Sequence, residues 1–170
     1  YRGDYERAKA CVERSLTLAE SCWGLYALAN IFRVTGDLKA AAATMAKAAA
    51  LRPEDSSLAR ETYKTFVEAE DYKGLLRCHN LLAESTKKVP MVRFLYANAL
   101  AHTGNLKDAE DILLENGGIS IPDLREGENS LSNLFTYIQI EKAKLEGKTL
   151  DEEDVEIPWI IDFRMHVKKK

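Results

Sequence analysis

The residues with the richest chemistry stand close together in one stretch: Asp123, Arg125, Glu126, Glu128 and Asn129. Two carboxylates placed on either side of a sugar bond can act as general acid and nucleophile, so glycoside hydrolysis is the reaction such a loop would serve. A plainer use is favoured. Arg125 can pair with a neighbouring carboxylate, and acids ahead of a helix that begins near Ser130 are stabilised by the positive end of its dipole. His79, His102 and His166 are far apart and form no His-x-x-Glu-His or similar ligand spacing, which argues against a metal site. Gly117-Gly118 is followed by neither Lys-Ser nor Lys-Thr, so no phosphate loop is expected. Cys11, Cys22 and Cys78 lack Cys-x-x-Cys spacing and cannot all pair, which suits a reducing compartment and a cytoplasmic location. Cys11 and Cys78 fall at the same place in a repeating pattern, beside a small-residue helix contact, and are read as buried structural thiols. No nucleophile with its base, no cofactor and no metal is expected, and the chain is read as a protein that is not an enzyme.

The elements that must position any site follow from composition and period. Over 170 residues, Lys plus Arg number 24 against 27 Asp plus Glu, a net charge of −3, with 46% hydrophobic residues. That excludes a disordered chain and a basic nucleic-acid binder, and Lys168-Lys169-Lys170 reads as a solvated end. With 9 Gly and 4 Pro there are too few turn signals for an all-β protein, so helix is favoured. The small-residue run from Ala40 to Leu51, interrupted by Thr44 and Lys47, is too short and too weakly apolar to span a bilayer.

A short pattern recurs along the chain. Gly3-Asp4-Tyr5 leads to Ala8, Gly36-Asp37-Leu38 to Ala41, and Gly104-Asn105-Leu106 to Ala109, with a degenerate copy at Glu70-Asp71-Tyr72 leading to Leu75. The turns at positions 3, 36, 70 and 104 are 33, 34 and 34 residues apart. In the fullest copy Leu25, Leu28, Ala29 and Phe32 are followed by Ala41, Met45 and Pro53. The third copy keeps Thr62, Tyr63 and Phe66 but has Glu70 in place of Gly, and the fourth keeps Tyr96, Ala97 and Leu100 behind Pro90. Small residues let two antiparallel helices approach, Gly turns the chain and Pro stops the second helix.

This period and these residues resemble the tetratricopeptide repeat over roughly residues 1–117. The resemblance implies an all-α fold, a right-handed solenoid of helical hairpins. Helices are expected at Asp4–Ala19, Cys22–Thr35, Leu38–Leu51, Ser56–Glu70, Tyr72–Ser85, Pro90–Thr103 and Leu106–Asn116. Tyr1 falls just before Gly3, so the first repeat is expected to be truncated, with an upstream neighbour. Leading helices of such arrays line a concave groove. The positions that correspond to it here are Trp23, Tyr26, Asn30 and Arg33, then Arg60 and Lys64, then Met91, Phe94, Asn98 and His102. Aromatic anchors beside basic and amide groups suit a protein, a peptide or an acidic terminus, and the same side chains could instead meet another domain of the same chain.

Residues 118–170 are expected to form a loop, a capping helix and an apolar tail, packed on the array as one structural domain. Asn116-Gly117-Gly118 should end a helix in a left-handed cap. Leu131, Leu134, Phe135, Ile138 and Leu145 recur at helical spacing from Ser130 to Gly147, and Thr149-Leu150-Asp151-Glu152 has the form of a capping box. Ile157, Trp159, Ile160, Ile161 and Phe163 are too apolar for water and should dock on that helix. The stretch NGGISIPDLREGENSLSNLF with IPWIIDFRM resembles the C-terminal end of large bacterial proteins that join a carbohydrate-related β domain to a tetratricopeptide array. Asn133 and Phe135 stand where that family carries an Asp and a Trp. The expected function is a non-catalytic interaction scaffold; the alternative is a structural or oligomerisation module serving a carbohydrate-active or carbohydrate-binding neighbour.

Overall fold

The computed structural model describes residues 3–122 and 130–162, and among these it is all helix and loop. The helices are α1 (Gly3–Leu18), α2 (Cys22–Thr35), α3 (Leu38–Leu51), α4 (Ser56–Glu68), α5 (Tyr72–His79), α6 (Glu84–Lys87), α7 (Pro90–His102), α8 (Leu106–Leu114) and α9 (Ser130–Leu145). Short 3-10 turns occupy Glu115–Gly117, Glu152–Asp154 and Trp159–Ile161. The fold is all-α, built of helical hairpins. Two compact units divide the chain inside α7, Tyr1–Leu95 and Tyr96–Lys170.

In the first unit the repeat turns are one backbone motif used twice. Gly36 sits at φ 90° in the left-handed region; its N–H donates to the Arg33 carbonyl and the next N–H, of Asp37, to that of Phe32. Glu70 does the same at φ 53°, donating to Val67 while Asp71 donates to Phe66. These bonds close the C-terminal carbonyls of α2 and α4, which have no partners within the helix. The next residue then opens the following helix: the Asp37 carboxylate accepts from the Ala40 N–H at 3.0 Å, and the Asp71 carboxylate from Gly74 at 2.8 Å. Gly74 leaves no space for a side chain here, because a Cβ would run into the Asp71 carboxylate and lie 2.6 Å from the Phe66 ring.

Packing follows from residue size. Ala41, Ala42, Ala48 and Ala49 of α3 are buried with Met45, which lets α3 lie close between α2 and α4. Leu25, Leu28, Leu58, Tyr63 and Phe66 complete this core, each contributing about 1.5–3 kcal/mol from burial. α1 packs on α2, with the Lys9 ammonium 4.9 Å from the centre of the Phe32 ring.

The expected helix Tyr72–Ser85 is two pieces instead. α5 stops at His79, and the chain bends so that the Ala83 N–H and the Thr86 hydroxyl both donate to the Pro53 carbonyl, at 3.0 and 2.9 Å. Satisfying that part-buried acceptor takes the place of continuing a helix whose residues 80–83 contain neither Gly nor Pro to announce the break. Cys78 is buried, as expected, and burial raises its thiol to about 11, but Cys11 is exposed on α1. Its position in the repeat pattern does not confer burial, because α1 buries little of its surface.

In the second unit the α7–α8 turn repeats the motif, with Gly104 at φ 88° and Asn105 donating to Leu100, although Asn105 makes no side-chain cap. α9 packs on α8 through the buried Leu131, Leu134, Phe135 and Ile138. The Glu110 carboxylate of α8 accepts from Gln139 and pairs with Lys142, both of α9. Leu145 belongs to the expected apolar stripe yet is 80% exposed, since it lies in the last turn before Gly147 reverses the chain at φ 72°. Asn116 and Gly117 adopt the left-handed conformation expected after α8. The capping box is not formed: the following turn starts at Glu152 behind Asp151, with no side-chain cap.

The tail divides. Ile161 is wholly buried, Ile160 lies against Gly118, and Ile157 stands beside α9. Trp159 is 86% exposed, contrary to the docking expected of it; in the 3-10 turn Trp159–Ile161, Ile161 takes the interior position and Trp159 the outer one. Phe163 and the lysine end lie outside the described residues.

Candidate interaction surface

The α2 residues singled out from sequence recur at spacings of three and four, Trp23, Tyr26, Asn30 and Arg33, which places them along one helix face. Ser21 caps α2 by accepting from the Gly24 N–H at 3.1 Å, and Gly24 leaves room there, since a Cβ would lie 2.8 Å from Leu16. Asp55 caps α4 in the same way, its carboxylate accepting from Ser57 and Leu58 at 3.1 and 3.0 Å. These caps fix where the two helices begin and hence where their first turns face.

Between them lies a hollow of about 160 Å³, walled by Trp23 and Tyr26 with Cys22 on α2 and by Asp55, Ser57, Leu58 and Glu61 on the α4 side. A smaller notch continues it, lined by Tyr26, Asn30, Arg33, Met45, Glu61 and Thr65. Tyr26 and Glu61 border both, so the two form one groove. The Trp23 and Tyr26 rings meet edge-on, centroids 6.4 Å apart and planes at 73°, and Trp23 is 69% exposed. Burial raises the Cys22 thiol, opposed by Arg52.

Arg60 and Lys64 do not line the groove. They flank Glu61, whose Oε1 lies 3.4 Å from Lys64 Nζ and 4.0 Å from Arg60 Nε. Glu61 escaped the sequence reading; its signal was the i,i+3 spacing to Lys64, a pairing that helix geometry favours. The expected basic patch is thus compensated in part by a carboxylate on its own helix.

Phe94 requires a correction. It is 6% exposed and belongs to the core, as does the rest of the apolar set Val92, Leu95 and Ala97, so it offers no open anchor. Met91 is half-buried. In the second unit, Asn98 is half-buried, and its Oδ1 has no hydrogen-bond partner among the described residues; Arg60 Nε in the first unit is likewise without one. His102 stacks on Tyr137 of α9, ring centroids 4.4 Å apart, so the capping helix meets this position. A second groove, about 500 Å³, runs along α9 past Asn133, Thr136, Tyr137 and Ile140 to Ile157. Phe135 is buried.

Among the described residues no group of three or more His, Cys, Asp or Glu side chains could hold a metal ion, and no helix is long and apolar enough to cross a membrane. The loop acids Asp123, Glu126 and Glu128, with Arg125 and Asn129, lie outside the described residues.

The hairpin that decides the comparison with known families is α7–α8, with its left-handed Gly104 and small Ala97, Ala101 and Ala109. Residues 90–115 match the family model for the tetratricopeptide repeat. Neither a curated protein nor a solved structure matches the chain. The matching tetratricopeptide repeat is the fourth copy, not the one fullest in sequence at residues 22–53. The α2–α3 and α4–α5 hairpins share its turn geometry, so the all-α, tetratricopeptide-like helical-repeat architecture extends beyond the matched segment. Repeats of this kind generally mediate contacts between proteins, which supports a scaffold role.

Proposed function

We propose that the chain is a non-catalytic interaction module that binds an extended peptide or a partner's surface along the face formed by α2 and α4. The observation that carries this reading is the groove itself: all four residues chosen on α2 border it, and a large aromatic, Trp23, stands exposed at its rim. Exposed aromatic side chains beside a concave apolar surface are typical anchors of protein interfaces. Three unpaired cysteines fit the cytoplasm as its location.

Peptides selected from a random library on the immobilised chain test this. Tyr26→Ala and Trp23→Ala should each speed their dissociation by about tenfold or more, as loss of a hot spot does. Lys47→Ala, on the exposed side of α3, should leave it unchanged. Binding that survives both groove substitutions would remove the reading.

A second reading makes the chain a packing or oligomerisation module for a carbohydrate-active or carbohydrate-binding neighbour. Leu145 and Trp159, two large apolar side chains left exposed in the second unit, favour it. Shifts in sedimentation velocity with concentration, abolished by Trp159→Ala, would raise it above the first.

A further inference from the structure

We infer that the hollow between Trp23 and Tyr26 takes a cationic side chain, so that the peptide bound along α2 and α4 is anchored by a Lys or Arg rather than by an acidic terminus. This rests on the groove reading above and names the chemistry of its deepest subsite. Both rings line the hollow and meet edge-on, with planes at 73°. A cation entering beside them is attracted by whichever ring face it meets, while its aliphatic stem lies against Leu58 and the apolar edge of Cys22.

The charges at the rim agree. Asp55 and Glu61 are the only ionised groups that border the hollow among the described residues, and both are carboxylates. Their basic neighbours stand outside it: Arg52 lies 3.9 Å from the Asp55 carboxylate, and Lys64 and Arg60 approach Glu61. An acidic ligand would therefore meet two carboxylates before reaching any cation. A volume of about 160 Å³ admits one side chain and not a helix. Arg33, farther along α2 in the notch, would then face the peptide's carbonyls or a following acid.

The indole signals of Trp23, followed by NMR, give a direct test with four probes: N-acetyl-lysinamide, N-acetyl-argininamide, the neutral N-acetyl-norleucinamide and N-acetyl-glutamate. The two cationic amides should bind about tenfold more tightly than the norleucine amide, a difference that a desolvated cation–aromatic contact supports. Glu61→Gln should reduce that preference several-fold, and Asp55→Asn, which preserves the helix cap, should do likewise. Equal binding of the lysine and norleucine amides, or tighter binding of the glutamate, would overturn the inference. Library peptides that depend on Tyr26 but carry no Lys or Arg would also overturn it while leaving the groove reading intact; peptides indifferent to Tyr26 would end both.

Discussion

The Tyr63 hydroxyl lies 2.8 Å from Nδ1 of His79, so a wholly buried ring of α4 is tied to the last residue of α5. Burial of that imidazole, aided by the nearby Lys87 ammonium and opposed by Glu84, holds it at about 4, well below its ordinary 6.5. A neutral ring can share a proton with the tyrosine; a charged one would sit half out of water beside another cation.

Stability should therefore depend on pH in a defined window. Between about 6.5 and 4 the unfolded chain binds a proton at His79 that the folded chain refuses, so the contribution is complete above 6.5 and is lost as pH falls toward 4. Each unit of displacement corresponds to about 1.4 kcal/mol, which screening at a half-exposed ring reduces to a total of about 1–2 kcal/mol. Urea unfolding at several pH values, compared between the native chain and His79→Gln, measures it. Parallel losses in the two proteins would assign the pH dependence elsewhere.

Glu70 performs a glycine's task. At φ 53° it occupies the position that Gly36 and Gly104 fill in the sister turns, and a side chain there costs about 1 kcal/mol. Glu70→Gly should raise the unfolding free energy by about that amount, whereas Gly36→Ala should lower it by a similar one. A destabilised Glu70→Gly would mean that the glutamate's side chain contributes more than its backbone strain removes.

Much of this architecture was legible before any coordinates. Turn residues at positions 36, 70 and 104, each followed by Asp or Asn, mark the left-handed cap and the next helix start, and α2 and α3 begin and end where their caps predict. Local chemistry encodes such features. The break after His79 was not legible, because the Pro53 carbonyl that draws Ala83 and Thr86 to it is some thirty residues earlier in the chain. The site shows the same division. Spacing placed Trp23, Tyr26, Asn30 and Arg33 on one face of α2, but which residues of α4 would border them depends on how the helices cross, and there Glu61 took the place expected of Arg60 and Lys64. Phe94 failed for a related reason: helical spacing ranks faces but does not say how much of a face the neighbouring elements cover.

Glu110 holds α9 to α8 by serving Gln139 and Lys142 at once. Its removal leaves an amide and an ammonium, both partly buried, without their acceptor, and Glu110→Ala should destabilise the α8–α9 pair by about 1–2 kcal/mol. Hydrogen exchange should quicken along α9 while α2 and α3 are unaffected. Uniform quickening throughout the chain would show that the contact supports global folding instead.

The tail offers the sharpest contrast, because neighbouring residues of one 3-10 turn have opposite environments. Ile161 is wholly buried and Ile160 closes on Gly118, whose φ of 109° strains any other residue and where a Cβ would lie 3.2 Å from the Ile160 side chain. Trp159 is almost bare to solvent. Truncating a buried isoleucine removes its transfer energy and leaves a cavity, so Ile161→Ala should cost about 2–4 kcal/mol. Trp159→Ala should change stability by less than about 0.5 kcal/mol, since an exposed side chain contributes little to folding. Hydrophobicity alone predicts the reverse order, the tryptophan being the larger residue. Unfolding curves for the two variants decide between burial and composition: a Trp159→Ala loss equal to that of Ile161→Ala would mean that the indole is covered in solution, and an Ile161→Ala variant as stable as the native chain would mean that the tail does not dock.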